Sequence, residues 1–411
     1  MKFSKRIENM IASPIRKLVP VADRVRAQGI EVIPLNIGQP DIPTPPDFLS
    51  AVRSYDVNVL EYANSRGITR TLETTQLYLH NYGLDFTLDE LLITNGASEG
   101  LSFSLACTCD PGDAILVIEP FYTNYRSIAE SQGVRLIPIT TSVEDHFRIP
   151  GIEAFDAVYE PSMRAVLLSS PSNPTGRVYT REEMQVIVEF VKKHDLFLLA
   201  DEVYREFNYT DRPFYSFMQF DEIRDQVVLL DSISKKYSAC GARIGSIATK
   251  NADFMAHALK LAQSRLSVST LDQIGAGAMD IVDDQYVEDN RITYKKRRNV
   301  LQRRLERLSG VVAPTPEGAF YNILRLPVED AEDFILWTLH NIRIDNTTIL
   351  LTPAESFYST PGMGRNEVRI SYCIDETKIE RAMDILEKAL REYPGTTAQK
   401  PADLHVENPP V

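Results

Sequence analysis

The feature that most constrains the fold of this 411-residue chain is a repeated unit. A short, uninterrupted apolar run ends in polar, Gly-rich or Pro-rich residues, and a segment of helix length follows. Leu91-Leu92-Ile93 runs into Thr94-Asn95-Gly96-Ala97-Ser98-Glu99. The run 114–118 leads to Glu119-Pro120-Phe121-Tyr122, and 165–168 to Ser169-Ser170-Pro171-Ser172-Asn173-Pro174. The run 197–200 leads to Asp201-Glu202-Val203-Tyr204, and 227–230 to Asp231-Ser232-Ile233-Ser234-Lys235. Apolar runs without alternation suit strands buried on both faces. Strands that alternate with helices give an α/β fold, a mainly parallel central sheet flanked by helices.

The polar residues of each unit gather just past the carboxyl end of its strand. In open α/β sheets that edge is where ligands bind. Ser98, Tyr122, Asn173, Asp201, Tyr204 and Lys235 are therefore expected to converge, although they are far apart in sequence.

The rest of the chain is organised around this core. Ser13-Pro14 marks a turn before a helix over 15–28 that ends at Gly29. Gly38, Pro40, Pro43, Pro45 and Pro46 predict an extended loop. From about Leu301 the pattern changes. A basic helix over 295–308, a helix over 331–341, a strand at 348–352, a strand at 367–371 and a closing helix over 376–392 predict a second, smaller α+β domain. Trp337 sits in the apolar helix and is assigned to the core. The end of the chain from Pro394 is rich in Pro, Thr, Ala and charge and is expected to fray.

Several function classes are excluded. The net charge of −13 offers no electrostatic footprint for nucleic acid or for an anionic membrane. No apolar run approaches a membrane span, and the basic N-terminus lacks the apolar core of a secretory signal. Four cysteines do not make a disulfide framework in a chain of this length. Cys107 and Cys109 are expected as buried thiols, no His falls at metal-ligand spacing, and a reducing cytoplasm is the expected location. No Gly-rich dinucleotide fingerprint follows a strand, and no P-loop, zincin or nucleophile-elbow motif is present. Gly275-Ala276-Gly277 lies in a helical stretch and lacks the third glycine.

Lys235 and Asp201 carry the most specific chemistry. Taken alone, Lys235-Lys236 reads as a solvated loop. The segment around it is small, hydroxylic and glycine-containing, and it leads to Arg243 eight residues on. Ser232 and Arg243 suit a phosphate, and a lysine whose pKa is lowered suits Schiff-base chemistry. Asp201 follows a buried run, where a carboxylate is costly unless paired. It reads either as a helix cap or as the partner of a protonated ring nitrogen. A Schiff-base lysine with an Asp for a pyridinium nitrogen is the arrangement that pyridoxal 5′-phosphate (PLP) needs. The segment Asn95 to Glu99 opens a helix after a strand, which serves as a cap, as a phosphate site, or as both.

Asn173-Pro174-Thr175-Gly176, Asp201-Glu202-Val203-Tyr204, and Ser232-Ile233-Ser234-Lys235 with Arg243 occur in that order. With Asn36-Ile37-Gly38-Gln39-Pro40-Asp41, Tyr62 and Gly67, and Arg369 in Val368-Arg369-Ile370-Ser371-Tyr372, the chain resembles the class I/II PLP-dependent aminotransferases from about residue 10 to 393. The resemblance implies an aspartate aminotransferase-like fold: an N-terminal arm and part of the small domain over 1–50, a large PLP-binding domain over 51–304, the C-terminal small domain over 305–393 and a flexible tail over 394–411. It also implies residue roles. Lys235 carries the Schiff base and shuttles the proton at the substrate Cα, and Asp201 pairs with the pyridine nitrogen. Asn173 and Tyr204 hydrogen-bond the 3′ oxygen, and Tyr122 stacks on the ring. Ala97, Ser98, Ser232 and Arg243 hold the phosphate, joined by Tyr62 from the neighbouring subunit of a homodimer. Gly38, Asn173 and Arg369 receive the substrate α-carboxylate, a role that suits the bidentate fork of Arg. Read without the resemblance, Tyr122 is core packing, Tyr62 a surface tyrosine and Arg369 a structural ion pair.

The implied reaction exchanges an amino group between an L-amino acid, aspartate first, and a 2-oxo acid, 2-oxoglutarate. Arg265 is a candidate reader of the substrate side chain; otherwise it is a surface arginine. The alternatives are an aminotransferase for alanine or other amino acids, and a PLP-dependent β-lyase acting on a cysteine conjugate. A regulator with a fused DNA-binding domain is disfavoured by the short segment before Gly38 and by the charge.

Overall fold

Each uninterrupted apolar run becomes a strand. The computed structural model describes residues 1–10 and 14–397, and its strands in chain order are β1 (Glu31–Pro34), β2 (Leu91–Thr94), β3 (Ala114–Glu119), β4 (Arg135–Thr140), β5 (Met163–Ser169), β6 (Phe197–Asp201), β7 (Val227–Ser232), β8 (Gly245–Ala248), β9 (Tyr321–Arg325), β10 (Thr347–Leu350), β11 (Thr352–Pro353) and β12 (Glu367–Ser371). The central sheet has seven strands in the order β2-β8-β7-β6-β5-β3-β4. All neighbours are parallel except β8, which runs antiparallel to both β2 and β7.

Burial on both faces explains the continuous apolar runs. Successive side chains point to opposite faces of a strand. Leu116, Val166, Leu198 and Leu229 pack with Met184, Ile187 and Val191 of the helix Arg181–Lys193. Ile115, Leu167, Leu199 and Val228 pack on the other side with Leu101 and Leu105 of the helix Gly96–Thr108 and with Ala258 of the helix Ala252–Arg265.

Two strands of this sheet were not signalled by an apolar run. β4 lies at an edge, is only half buried and contains Pro138. An edge strand tolerates proline because one side of its backbone has no partner strand. β8 is four residues long and has a serine and a glycine among them.

A second core joins the two ends of the chain. β1 pairs in parallel with β10, with Glu31 opposite Thr347. Val25, Val32 and Ile33 are buried with Phe334, Ile349 and Leu386. β11, β12 and β9 form a separate antiparallel sheet. The segment expected as one strand at 348–352 is thus two strands in two sheets, with Leu351 between them.

Other expectations meet the structure with shifts. The helices Ala331–Asn341 and Glu376–Glu392 lie where the pattern placed them. The N-terminal helix is broken at Leu18 into Pro14–Lys17 and Val19–Arg26. Pro20 has no amide proton for the continuing helix and its ring crowds the preceding turn. Ser13 of the expected turn lies outside the described residues. The basic helix begins earlier, at Asp284, and ends at Leu305, because the Asp283 side chain caps it by accepting from the Gln285 N–H. Cys107 and Cys109 are half-buried rather than buried, and partial burial pushes both thiols up to about 11. Trp337 is half-buried at the edge of the core, edge-on to Tyr393. Thr396 bridges to Val328 and the Thr397 N–H donates to the Pro327 carbonyl; the remainder of the expected tail, 398–411, lies outside the described residues. Among the described residues no helix is long and apolar enough to cross a membrane.

Candidate active site

Asp201 ends β6, with Ser169 of β5 and Leu230 of β7 beside it in the sheet. It is buried, and its carboxylate accepts from the Tyr125 hydroxyl at 2.6 Å and from the Val203 N–H at 3.4 Å. Burial pushes the carboxyl up to about 6, against the opposing pull of the Tyr125 hydrogen bond. A second acid, Asp231, adds to the upward shift, and Lys235 opposes it.

The adjacent lysines on the turn Ile233–Lys236 face different surroundings. Lys236 is buried, paired with Asp231 at 2.8 Å, and seated 3.1 Å from the Tyr78 ring centroid. Lys235 is half-buried and donates to the Gly38 carbonyl at 3.0 Å, with its Nζ 5.9 Å from the ring centroids of Tyr204 and Phe320. Ser232 caps the turn: its Oγ accepts from the Ser234 N–H at 3.1 Å and lies 2.8 Å from both Ser234 Oγ and the Ile244 carbonyl.

An anion cradle adjoins this turn. The helix Gly96–Thr108 starts at Asn95, whose side chain makes no cap, so its first backbone N–H groups, those of Ala97 and Ser98 among them, lack intrahelical partners. Gly96 has φ +72°, and a methyl there would overlap the Arg243 guanidinium. A methyl at Gly245 would press on the backbone of Gly96 and Ala97. The helix start, Ser232 and Arg243 are therefore held together by close backbone approach. Among the described residues no carboxylate forms an ion pair with Arg243, which donates only to the Cys240 carbonyl.

Arg369, on β12, is 2% exposed. It donates to Asn173 Oδ1 at 3.1 Å and to the Asn36 carbonyl at 2.8 Å, while its Nε is buried without a partner among the described residues. The Tyr321 and Phe357 rings lie 4.6 and 5.0 Å from its guanidinium carbon. Burial lowers its pKa, since no carboxylate pairs with it among the described residues. Tyr122 is half-buried and stands edge-on to Tyr125, with centroids 5.6 Å apart. Burial raises its phenol, and the charges of Arg369, Asp201, Arg243 and Arg16 all act on it.

The structure thus brings together Gly38, Ala97, Ser98, Tyr122, Asn173, Asp201, Tyr204, Ser232, Lys235, Arg243 and Arg369 at one edge. Tyr62 stands apart from this set and is 81% exposed in the chain. Arg265 is not free at the surface: its Nε lies 3.5 Å from Glu99, and it donates to the carbonyls of Ser65 and Ile93. Three residues beside the site have no role assigned from the sequence, although Asn36 stands in the Gly38 motif. Tyr125 lies on the first turn of the helix Asn124–Gln132 after β3, where the strand-edge rule reaches. Asn36, whose buried Oδ1 lacks a partner among the described residues, belongs to the Gly38 segment. Tyr321 comes from β9 in another sheet, and no local signal points to it.

Among the described residues no cluster of three His, Cys, Asp or Glu side chains could hold a metal ion. The family profile described as Aminotransferase class I and II matches residues 30–386. The chain is 30% identical over 391 residues to the aspartate aminotransferase of Thermotoga maritima, covering 94% of this chain and 99% of that protein. It is 32% identical over 369 residues to a Bacillus subtilis protein named as a probable N-acetyl-LL-diaminopimelate aminotransferase, covering 88% and 90% of the two. The crystal structure of the aspartate aminotransferase from Thermotoga maritima matches with a TM-score of 0.85 at 29% identity, covering 94% of this chain and all of that one.

Proposed function

The chain belongs to the class I and II aminotransferases, and on that premise we propose that it exchanges the amino group between L-aspartate and 2-oxoglutarate. The aminotransferases of this family use PLP. The observation that carries the assignment to the edge described above is a pair of uncompensated buried charges. Among the described residues Asp201 is a buried acid without a cation in ion-pair contact, and Arg369 is a buried cation without an acid. A buried charge is costly unless paired. A protonated ring nitrogen complements the first, and a substrate carboxylate complements the second. The uncapped helix start beside Arg243 offers a third complement, for a phosphate.

PLP supplies an aldehyde carbon that captures amines and a ring that draws electrons from the substrate Cα. Within this proposal Asp201 holds the proton at the pyridine nitrogen, and the Tyr125 hydroxyl keeps the Asp201 carboxylate ionised. Asn173 and Tyr204 hydrogen-bond the 3′ oxygen, and Tyr122 covers the ring face. Ala97, Ser98, Ser232 and Arg243 hold the phosphate, with the Ser232 hydroxyl shared between that task and the Ile244 carbonyl. Arg369 grips the substrate α-carboxylate with the free side of its fork, and Asn173 and the Gly38 segment orient it. Lys235 Nζ, moved off the Gly38 carbonyl, would take the proton from the substrate Cα and deliver it to the carbon that carried the cofactor's aldehyde, and would carry it back in the reverse half-reaction.

The end-to-end match to the Thermotoga maritima aspartate aminotransferase supports aspartate as the amino donor. A homodimer is part of the same proposal. Tyr62 is exposed together with Val57, Val59 and Leu60, an apolar surface suited to a second copy, and in that copy Tyr62 joins the phosphate site. The large PLP-binding unit over 51–304, the small unit over 305–393 and a cytoplasmic location complete it.

The test is a visible absorption spectrum of the purified protein with PLP, then with aspartate, then with 2-oxoglutarate. The proposal expects the bound-cofactor band to disappear with aspartate and return with 2-oxoglutarate. A band that persists with aspartate removes that substrate and directs the search to alanine, aromatic or cysteine-type donors. No band with added PLP would overturn the assignment of Lys235.

A further inference from the structure

Tyr321 is the first residue of β9, in the C-terminal three-stranded sheet, yet its side chain ends among groups of the central-sheet edge. Its hydroxyl lies 3.0 Å from the Tyr204 hydroxyl and donates to the Gly38 carbonyl at 3.3 Å. The same carbonyl accepts from Lys235 Nζ at 3.0 Å. The Tyr321 ring lies 4.6 Å from the Arg369 guanidinium carbon. Gly38 has no room for a side chain, since a methyl there would overlap the Tyr321 hydroxyl. One side chain thus touches the carbonyl that holds the lysine, the guanidinium assigned to the substrate and the phenol assigned to the 3′ oxygen.

The bonding capacity of these groups couples them. A phenol has one proton, and a carbonyl oxygen has two lone pairs. While Lys235 bonds to the Gly38 carbonyl, that oxygen needs no further donor. The Tyr321 proton is then free to turn to the Tyr204 oxygen, which makes the Tyr204 hydroxyl a better donor to its own acceptor. When Lys235 leaves Gly38, Tyr321 becomes the donor that keeps the Gly38 carbonyl satisfied. Both phenols are buried, which keeps them neutral and able to donate.

We propose that Tyr321 is a positioning residue of the amino-transfer reaction: its hydroxyl holds the Gly38 carbonyl when Lys235 departs and strengthens the Tyr204 hydrogen bond when Lys235 is in place. It acts through Tyr204 and Gly38, and the proposal rests on the assignment of Tyr204 to the 3′ oxygen made above.

Tyr321→Phe removes the hydroxyl and leaves the ring over Arg369. The decisive readout is the pH midpoint of the visible absorption of the PLP-loaded protein saturated with 2-methylaspartate, a donor without a Cα hydrogen whose amine displaces Lys235 and frees it to return to the Gly38 carbonyl. A donor to the 3′ oxygen stabilises its anionic form, so weakening that donor raises the midpoint. The expected shift is upward by about 0.3 pH unit or more, with a larger shift in the same direction for Tyr204→Phe. KM for the amino acid is expected to rise roughly 3- to 10-fold, the scale of one lost hydrogen bond, with a smaller change in kcat. The melting temperature of the apoprotein serves as the control for folding and is expected to stay within about 2 °C, since a single exposed or re-bonded hydroxyl is a small part of the total. A midpoint that moves in Tyr204→Phe but not in Tyr321→Phe would overturn the role of Tyr321 and leave the site assignment standing. A midpoint unmoved in both would overturn the assignment of Tyr204 itself.

Discussion

The Tyr125 hydroxyl donates to Asp201 Oδ2 at 2.6 Å, and this bond opposes the burial that pushes the Asp201 carboxyl up to about 6. Tyr125→Phe is therefore expected to raise that pKa further and to leave less carboxylate at neutral pH. PLP affinity, measured by equilibrium dialysis at pH 7, is expected to fall about 3- to 10-fold, with the loss shrinking as pH rises.

The same raised pKa has a consequence for stability. Burial raises Asp201 above its unfolded value, so the folded apoprotein binds the proton more tightly than the unfolded chain. Its contribution is greatest below about pH 4 and is lost as pH rises through about 6. Asp201→Asn is expected to stabilise the apoprotein above pH 7 by on the order of 2 to 3 kcal/mol, to change little at pH 4, and to abolish tight PLP binding. Thermal melts of the apoprotein across this pH range give the answer, and equal melting temperatures at pH 8 would contradict it.

Gly96 combines φ +72° with contact against Arg243. Gly96→Ala adds strain of about 1 to 2 kcal/mol and displaces the guanidinium. PLP dissociation is expected to quicken by at least about 10-fold, while Gly241→Ala, with open space around it, leaves it unchanged.

Arg369→Lys replaces a planar fork with a point charge. The ammonium cannot donate to Asn173 and Asn36 and also present two parallel bonds to a carboxylate. KM for aspartate is expected to rise on the order of 100-fold, with PLP binding retained. A KM within about 3-fold of the parent would remove Arg369 from the substrate site.

Asp41, three residues beyond Gly38, is gripped by Arg297 Nη1 at 2.6 Å and Nη2 at 3.0 Å. This fork ties the Gly38 segment to the helix Asp284–Leu305. Arg297→Met is expected to raise amino-acid KM several-fold and to lower the melting temperature by about 1 to 3 °C, with the visible spectrum of the PLP-loaded protein unchanged.

Much of this protein was written locally. The continuous apolar runs determined five strands of the central sheet, because a strand buried on both faces must be apolar at every position. The polar residues that ended each run placed Asp201, Asn173, Tyr122 and Lys235 at one edge, since parallel strands all finish on the same side. The Lys235-to-Arg243 spacing and the motifs in order carried the family.

Tertiary structure decided the rest. Only the folded chain brings β1 beside β10, sends Lys235 and Lys236 to different partners, and leaves Arg265 against Glu99. It alone sets Tyr125 on Asp201 and Tyr321 on Gly38. The physical reason is one of range. Burial periodicity and turn chemistry act over a few residues and are legible in any window of the sequence. The hydrogen bond from Tyr321 to Gly38 spans 283 positions, and it exists only because two separate sheets pack against each other.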